Sequence, residues 1–477
     1  MKKIILTVFS LVLLASCQSD AQYEDLNRDP KNPTQVSADF LYNAAVKSLF
    51  DQMASTNVNR NIYKMLGQHW TETTYVDEAN YDFTTRSIPD NHWSELYRDV
   101  LLDLKTAKAN VMADGELTAA EKAARAAQIE VIAVYTWQQL VDSFGNIPYT
   151  QALNPAEHVL PEFDDAATIY ADLISRLTAA RADLTNEGFG SADKIYGGDV
   201  AKWNKFANSL LLRLGNRISD VPSMQALAQS TVQAAVAGGV FTSNADNALL
   251  AYEGSTPNTN PLWVDLVQSG RSDFVAANTL VDFMNNLDDP RRPYYFDENL
   301  GAGVFVGGPY GENNSFPNYT HIGVVLHEPT FPGVLMDYAE VSFYLADAAE
   351  RSFSGTPAAA AGFYNAAITA SFDYWGAPIG TYLTDLDVAY ATAPGTWRQK
   401  IGNQMWLAMY NRGFEAWTAW RMYDTPAFNL PAVSGLPVPT RYTYPIDEQN
   451  LNEANWSAAS TAIGGDNQTT KLFWDVN

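Results

Sequence analysis

The sequence predicts a mainly α-helical single domain, and three observations support this fold class. Apolar residues recur at helical spacing along most of the 477-residue chain. Capping residues such as Ser, Thr and Asp precede many of these runs, whereas strand signals are few and short. One aromatic-rich stretch near the C-terminus, Lys400–Tyr423, has the pattern of a helix buried on two sides.

That stretch is predicted to be the central core helix. Its aromatic residues fall at steps of four, four and three, which is one helix face, and a second apolar row lies beside them. These aromatic residues are Trp406, Tyr410, Phe414 and Trp417. Gly413 lowers helix propensity, so we expect a kink or close packing there. Arg412, Glu415 and Arg421 are expected to pair with each other or with backbone carbonyls, because unpaired buried charge is costly.

The N-terminus is predicted to be a processed leader. Two lysines precede an apolar run, Ile4–Leu14, that is too short to span a membrane and suits a signal peptide. It ends Leu14-Ala-Ser-Cys17, which resembles the lipobox of bacterial lipoproteins, and Cys17 is the only cysteine. We therefore expect a signal peptide over 1–16 and a lipidated (palmitate-bearing) N-terminus and tether over 17–36. An ordinary cleavage site with an incidental cysteine is the alternative.

Helical segments dominate the rest of the chain. Seven are predicted before residue 240, at about 37–53, 59–73, 90–112, 118–142, 164–184, 199–218 and 222–237. Residues 240–335 are rich in Gly, Pro, Asn and Tyr and keep a helical pattern only near 272–287. Helices return at about 337–353 and 356–374, and a loop over 376–396 precedes the central helix. Long irregular stretches in a compact chain are often functional.

Charge and motifs narrow the function classes. The 30 basic and 54 acidic residues give a net charge of −24, which opposes binding to nucleic acid, anionic lipid or polyanionic substrates. The sequence has no Gly-x-Ser-x-Gly, His-Glu-x-x-His, P-loop or Cys-x-x-Cys motif, and its five histidines lack metal-ligand spacing. We expect no cofactor and no metal. A pair of glycosidase carboxyl groups is not excluded among so many acidic residues.

Several segments, in this order, resemble the SusD/RagB family of nutrient-binding outer-membrane lipoproteins of Bacteroidetes, and most closely its SusD-like subgroup 2. They are the lipobox, Asp142-Ser-Phe-Gly-Asn-Ile-Pro-Tyr149, Pro161-Glu-Phe-Asp164, Gly198–Ser209 with Arg213 and Arg217, Asp289-Pro-Arg291, Leu335–Glu340, and Leu436–Asn452 after the tryptophan-rich helix. Ala419 and Met422 depart from residues common in the family, and we expect both to affect core packing rather than ligand.

The resemblance implies a fold and a function. The fold would have helix pairs of tetratricopeptide type and a looped ligand-binding face, in a glycan-binding domain over 37–477. The protein would be a cell-surface lipoprotein of the outer membrane that captures glycan and delivers it to a SusC-like TonB-dependent transporter. The acidic charge favours a neutral polymer, for example a β-glucan such as laminarin. The alternatives are a lipid-anchored glycoside hydrolase and a surface adhesion or structural protein.

The candidate binding residues come from two aromatic-rich loops, about 70–93 and 255–320. Flat rings suit the C–H faces of sugars, and neighbouring charged groups suit hydroxyls. The predicted ligand-binding residues are Trp70, Tyr75, Tyr81, Trp263, Arg271, Asp273 and Tyr310. The alternative is that such rings pin the loops to the scaffold; for Trp70 it is equally supported, because Ile62, Leu66 and Trp70 continue a helical row. Tyr294 and Tyr295 are expected to be structural. Tyr382 and Tyr390, in loop 376–396, are the next candidates.

Overall fold

The computed structural model describes residues 36–477, and helices dominate it. The α-helices, numbered in chain order, are α1 Ala38–Ala54, α2 Tyr63–Leu66, α3 Ile88–Ser94, α4 Leu102–Ala113, α5 Ala119–Phe144, α6 Ala166–Asp183, α7 Val200–Arg217, α8 Gln225–Gly238, α9 Pro261–Trp263, α10 Asn278–Asn286, α11 Arg292–Tyr295, α12 Tyr338–Glu350, α13 Pro357–Trp375, α14 Trp397–Ala408, α15 Gly413–Tyr423, α16 Ile446–Leu451 and α17 Glu453–Ala462. Two π-helical turns, Glu95–Leu101 and Val264–Gln268, continue α3 and α9.

Within residues 36–477, short strands form three two-stranded antiparallel sheets. The strands are β1 Trp70–Glu72, β2 Ile147–Pro148, β3 Phe163–Asp164, β4 Ala248–Leu250, β5 Phe274–Ala276 and β6 Gly333–Met336. Strand β1 pairs with β5, β2 with β3 and β4 with β6. Each sheet joins segments that connect helices, so the strands hold loops in place rather than form a layer.

The helix starts follow the capping chemistry of the sequence. Thr118 and Glu121 form the predicted capping box at the start of α5. Asp199 caps α7, with its carboxylate accepting from two backbone N–H groups, and Asp165 rather than Asp164 caps α6. Ser37 caps α1 in the same way. The mainly helical fold class predicted from the sequence is confirmed.

The helices pack mainly in pairs of sequence neighbours. Helix α5 packs on α6, α7 on α8, and α12 on α13, while α1 packs on α4. Adjacent pairs also touch, through α4 with α5, α6 with α7, and α7 with α12. The irregular segments that carry β1 and β5 attach to this helical scaffold. The two residues that depart from the family pattern, Ala419 and Met422, are both buried.

A buried ion network ties α7 to α12 and α15. Arg213 on α7 lies 2.6 Å from Glu340 on α12 and 3.1 Å from Glu415 on α15, and all three side chains are almost fully buried. Arg412 pairs with Glu340 from the other side, at 2.5 Å. Arg421 instead donates to the backbone carbonyls of Asp142 and Thr440. Because Arg213, Glu340, Arg412 and Glu415 each have an oppositely charged partner, the cost of burying them is offset in part.

The predicted central helix is two helices, which corrects the prediction of one continuous helix, whereas the close packing expected at Gly413 is present. Helix α14 ends at Ala408 and α15 begins at Gly413, with Asn411 in the left-handed region at φ 67°. A Cβ on Gly413 would lie 2.5 Å from the backbone nitrogen of Lys64. Glycine is therefore required where α15 packs against α2.

The predicted helix over 59–73 is also wrong beyond its middle. Only Tyr63–Leu66 is α-helical; Gln68 then takes a left-handed conformation, at φ 49°, and the chain continues as β1. Pairing with β5 replaces the helical hydrogen bonds that residues 70–72 would otherwise make. Tertiary contacts thus override the helical row of Ile62, Leu66 and Trp70.

The predicted signal peptide, the lipidated Cys17 and nearly all of the tether lie outside the described residues. None of the helices within 36–477 is long and apolar enough to cross a membrane.

Candidate functional site

Strands β1 and β5 bring the two aromatic-rich loops of the sequence together. Trp70 pairs with Ala276, Thr71 with Val275, and Glu72 with Phe274. The contact continues beyond the strands, where the Thr73 amide donates to the Asp273 carbonyl at 2.9 Å and the Thr73 hydroxyl to the Ser272 carbonyl at 2.6 Å. Residues that follow β1 and residues that precede β5 therefore lie side by side.

A cleft of about 480 Å³ opens at this junction, and we call it the Tyr75 cleft. Four segments line it: the loop 56–59 after α1, residues 72–78 after β1, the π-helical turn with Ser269, and residues 271–274; Arg86 completes it. Three of the seven predicted ligand-binding residues, Tyr75, Arg271 and Asp273, lie in this lining. The cleft is lined mainly by polar and charged side chains, with the aromatic rings of Tyr75 and Phe274 among them.

Tyr75 presents the exposed ring of the cleft. Its side chain is 63% exposed, and its backbone is left-handed at φ 57°. A non-glycine residue rarely adopts this conformation, and such strain concentrates at ligand-binding positions. The guanidinium carbon of Arg271 lies 6.0 Å from the ring centre. Arg271 is itself held by Asp273 through two hydrogen bonds, at 2.5 and 3.0 Å, which raise the arginine pKa.

Two buried carboxyl groups form the base of the cleft. Burial, followed by the charge of the neighbouring Glu78, raises the pKa of Glu72. Glu72 also accepts from the Ala79 amide at 2.9 Å, and Glu78 pairs with Arg86. A raised pKa favours the protonated form of Glu72, because burial and a neighbouring carboxylate both disfavour its charge.

A buried lysine holds the C-terminal end of α1, immediately before loop 56–59. Lys64 donates to the carbonyls of Ala54 and Ser55, at 2.8 and 3.1 Å, and its ammonium nitrogen lies 5.4 Å from the centre of the Trp70 ring. Burial lowers the pKa of Lys64 to about 7, although Asp265 acts in the opposite direction. Asn57 Nδ2 reaches across to Asp265 at 3.2 Å and joins this loop to the π-helical turn.

Trp263 lies beside the cleft rather than in its lining. It is half-buried on α9, and the π-helical turn Val264–Gln268 that follows it forms the wall. Single π-helical turns are rare and occur frequently at functional sites. The prediction that Trp263 binds sugar stays a prediction, and the side chains that follow it line the cleft directly.

The predicted roles of Trp70, Tyr81 and Tyr310 must be corrected, because all three are core residues. Their side chains are 0%, 0% and 2% exposed, so no ring face is available to a ligand. The Trp70 indole donates to the Tyr410 hydroxyl at 3.3 Å, and the Tyr310 hydroxyl donates to the Met65 carbonyl at 2.8 Å. The Tyr81 hydroxyl accepts from Gln68 at 3.0 Å. These rings fasten the loops to the scaffold, which is the alternative that the sequence left open.

The remaining aromatic candidates are largely structural. Tyr295 is buried and stacks on Tyr410 with ring centres 4.1 Å apart. In loop 376–396, Tyr382 is buried and donates to Asp289 at 2.8 Å, and the half-buried Tyr390 donates to Glu350 at 2.6 Å. Loop 376–396 therefore offers less exposed aromatic surface than the Tyr75 cleft.

Sequence reasoning missed the polar residues of the cleft. Asn57, Asn59, Glu72, Asp265 and Gln268 all line it. Only the asparagine-rich run 57–61 gave a signal that could have been used, since amides on irregular backbone are typical of sugar sites. The described part of the chain contains no cluster of three or more His, Cys, Asp or Glu side chains placed to hold a metal ion.

Residues 30–445 match the SusD-like_2 family, which is described as starch-binding and associating with the outer membrane. This chain belongs to the SusD-like family. The resemblance read from the sequence motifs is thereby confirmed. No curated protein matches this SusD-like chain.

Solved structures show the same fold. A chitin-binding protein aligns with a TM-score of 0.76 at 26% identity, over 92% of this SusD-like chain and 100% of its own. A SusD homologue from Bacteroides uniformis aligns with a TM-score of 0.77 at 25% identity, over 93% and 100%. A chitin-binding SusD homologue from Flavobacterium johnsoniae aligns with a TM-score of 0.76 at 23% identity, over 92% and 99%. The agreement spans nearly the whole of each chain.

Proposed function

We propose that this SusD-like protein captures a neutral oligo- or polysaccharide in the Tyr75 cleft and delivers it to a SusC-like TonB-dependent transporter. The observation that carries the proposal is the exposed Tyr75 ring beside the Arg271–Asp273 pair, in a cleft formed where the two predicted loops meet. The family description and the chitin-binding relative support glycan as the class of ligand.

The side chains of the cleft suit a sugar ring. The Tyr75 ring would cover the C–H face of one residue. Arg271 offers donors and Asp273 offers acceptors to hydroxyl groups, while Asn57, Asn59 and Gln268 offer both. Arg271 and Asp273 hold one another, and because the pair is exposed it can exchange these bonds for sugar hydroxyls.

The charge of the cleft favours a neutral glycan. Glu72, Glu78, Asp265 and Asp273 line it, against the two cations Arg86 and Arg271. A uronate polymer such as alginate or pectin would bring further carboxylates to this surface and to a chain of net charge −24. We therefore propose a β-glucan such as laminarin, or a neutral N-acetylhexosamine polymer such as chitin, over any acidic polysaccharide.

The geometry favours binding over hydrolysis. Glycosidases hold their two carboxyl groups about 5–5.5 Å or about 6.5–9.5 Å apart, on either side of the scissile bond. Glu72 and Glu78 are instead both buried, and each is already engaged, Glu72 by the Ala79 amide and Glu78 by Arg86. Buried carboxyl groups that are held in this way are not presented to a glycosidic bond in the cleft.

Anchoring and delivery form the second half of the proposal. Acylation of Cys17 would hold the protein at the outer membrane, since stable anchoring needs more than a single acyl chain and bacterial lipoproteins carry several. A lid over a transporter barrel would need an interface well above about 1,000 Å². Palmitate labelling that is lost in Cys17→Ala tests the anchor. Co-purification of a TonB-dependent transporter from detergent-solubilised membrane tests the proposed partnership. Recovery of this protein alone would contradict that partnership.

Calorimetry tests the glycan. The purified Cys17→Ala chain is titrated with laminarin, soluble chito-oligosaccharides, malto-oligosaccharides and alginate. We expect saturable binding to one neutral series, none to alginate, and no reducing ends released. Release of reducing ends would establish the glycosidase alternative. Absence of binding to every glycan would overturn the proposal and favour an adhesion or structural role.

A further inference from the structure

A second cleft of about 320 Å³ adjoins the Tyr75 cleft, and we call it the Arg60 cleft. The two clefts share a wall made by Asn57, Val264 and Asp265. Beyond that wall, the Arg60 cleft is lined by Lys47, Asp51 and Ser55 from α1 and its C-terminal end, by Arg60, and by the segment 256–261. The π-helical turn thus has one cleft on each side.

We propose that the Arg60 cleft is a second subsite, so that this protein binds a linear glycan along both clefts and across the shared wall. The inference rests on the proposed function of the Tyr75 cleft. It assigns the ligand a length: a chain long enough to contact Tyr75 on one side of Asp265 and Arg60 on the other. A short oligosaccharide fills only one of the two.

The side chains of the Arg60 cleft suit the same neutral polymer. Lys47 and Arg60 are balanced by Asp51 and Asp265, so the cleft has no excess of either charge. Asp51 is oriented by the Tyr252 hydroxyl, which donates to it at 2.9 Å, and by Lys47 at 2.5 Å. Pro257, Pro261 and Val264 add apolar surface for the C–H faces of a sugar.

Arg60 is free to turn toward a ligand. Its side chain is 42% exposed, and its pair with Glu95 is long, at 3.5 Å. A contact this long between partly exposed groups contributes little, so exchanging it for sugar hydroxyls costs little. The shared wall presents a polar pair beside the apolar Val264: Asn57 Nδ2 donates to an Asp265 carboxylate oxygen at 3.2 Å, and both groups border the path of a glycan that crosses the wall.

Chain-length dependence tests the second subsite. The Cys17→Ala chain is titrated with trisaccharides and hexasaccharides of the laminari-, chito- and malto- series. A second contact made by the same molecule is intramolecular, so we expect the hexasaccharide of the binding series to bind about tenfold or more tightly than the trisaccharide. In the Lys47→Ala and Arg60→Ala variants this gain should fall to about threefold or less, with trisaccharide affinity unchanged.

The matched control is Arg98→Ala, which removes an arginine that is 68% exposed and that, within residues 36–477, forms an ion pair with its neighbour Asp99 alone. Arg98→Ala should retain the full increase in affinity from trisaccharide to hexasaccharide. Equal affinity for both lengths in the wild type would overturn the second subsite while leaving the proposed function intact. The second subsite would also be overturned if Arg60→Ala weakened trisaccharide and hexasaccharide binding equally. The same holds if neither Lys47→Ala nor Arg60→Ala weakened hexasaccharide binding. Failure of every oligosaccharide and of laminarin to bind would reject both proposals.

Discussion

Trp70 and Tyr75 lie five positions apart, yet one belongs to the core and the other to the cleft. Trp70, on β1, is fully buried against Phe274, with ring centres 5.8 Å apart, and bonds to Tyr410. Tyr75, just beyond the strand, is 63% exposed. The same type of residue in the same segment therefore serves the scaffold in one case and remains available to a ligand in the other.

Arginine–carboxylate pairs show the same contrast. Arg213 and Glu340 are 2.6 Å apart and completely buried, whereas the side chains of Arg271 and Asp273 are 55% and 29% exposed at 2.5 Å. A buried pair cannot exchange partners without leaving a charge uncompensated, but an exposed pair can. Burial, rather than residue type, separates the groups that hold the fold from those that can recognise a glycan.

The largest effect is expected from breaking the buried ion network. Glu340→Gln leaves Arg213 and Arg412 without their shared carboxylate, and should lower the free energy of unfolding by about 3–5 kcal/mol. Urea denaturation measures it. Asp273→Asn is the matched control in the cleft and should leave the urea midpoint unchanged. Equal shifts for the two variants would contradict the contrast between core and cleft.

A comparable loss is expected from Trp70→Ala. Removing a fully buried indole creates a cavity and should cost about 3–5 kcal/mol of stability. The measurement is again the urea midpoint, with circular dichroism to follow helix content. If Trp70→Ala kept wild-type stability and lost glycan binding, the ring would belong to the site and the core assignment would be wrong.

Lys64 should make stability depend on pH. Its pKa falls from 10.5 to about 7 on folding. Between these values the unfolded state binds more protons than the folded state, so stability from this group rises with pH by up to about 1.4 kcal/mol per pH unit. Urea unfolding of wild type and Lys64→Met at pH 7, 8 and 9 checks this. The free energy of unfolding of the wild type minus that of the variant should increase with pH. If this difference stayed constant from pH 7 to pH 9, the Lys64 pKa would not be lowered.

Tyr75→Ala should affect binding without affecting stability. One ring face covers roughly 100 Å² of sugar and ring surface, which corresponds to at most about 2.5 kcal/mol, so glycan affinity should fall about tenfold or more. Tyr75→Phe keeps the ring and should keep most of the affinity. Calorimetry with the bound glycan provides the comparison. Normal binding by Tyr75→Ala would place the aromatic contact elsewhere, with Trp263 next to be tested.

The smallest effect is expected from Arg271→Lys. The charge is kept, but the planar fork that holds Asp273 and donates to hydroxyls is lost. Affinity should fall about two- to tenfold, the usual range for one neutral hydrogen bond, with no change in melting temperature. A loss as large as that of Tyr75→Ala would mean that Arg271, rather than the ring, is the main anchor.

Much of the scaffold could be predicted because its signals are local. Thr118 with Glu121, and Asp199 before an apolar run, determine helix starts through contacts within a few residues. Strand β1 could not be predicted, because its partner β5 lies far along the chain and the local row ending at Trp70 favours a helix. Long-range pairing of this kind leaves no periodic signal in either segment.

The candidate site could be predicted only in part, because its loops have a local compositional signal but the contacts between them do not. Composition identified the two loops, and with them Tyr75, Arg271 and Asp273. Composition does not distinguish a loop aromatic that points inward from one that points outward, so Tyr81 and Tyr310 were predicted to bind and are buried. Asn57 and Asp265 were missed because their relevance depends on a contact between α1's following loop and the π-helical turn.

The pairing of β1 with β5 also has a consequence for folding. The long chain segment between β1 and β5 must close before their pairing can stabilise the fold. We therefore expect the β1–β5 contact to form late, after the pairs of helices that are neighbours in sequence. The Tyr75 cleft does not exist until that closure is complete. During refolding, glycan binding should therefore recover more slowly than the circular dichroism signal of the helices. The rate at which binding returns would then measure how fast β1 pairs with β5.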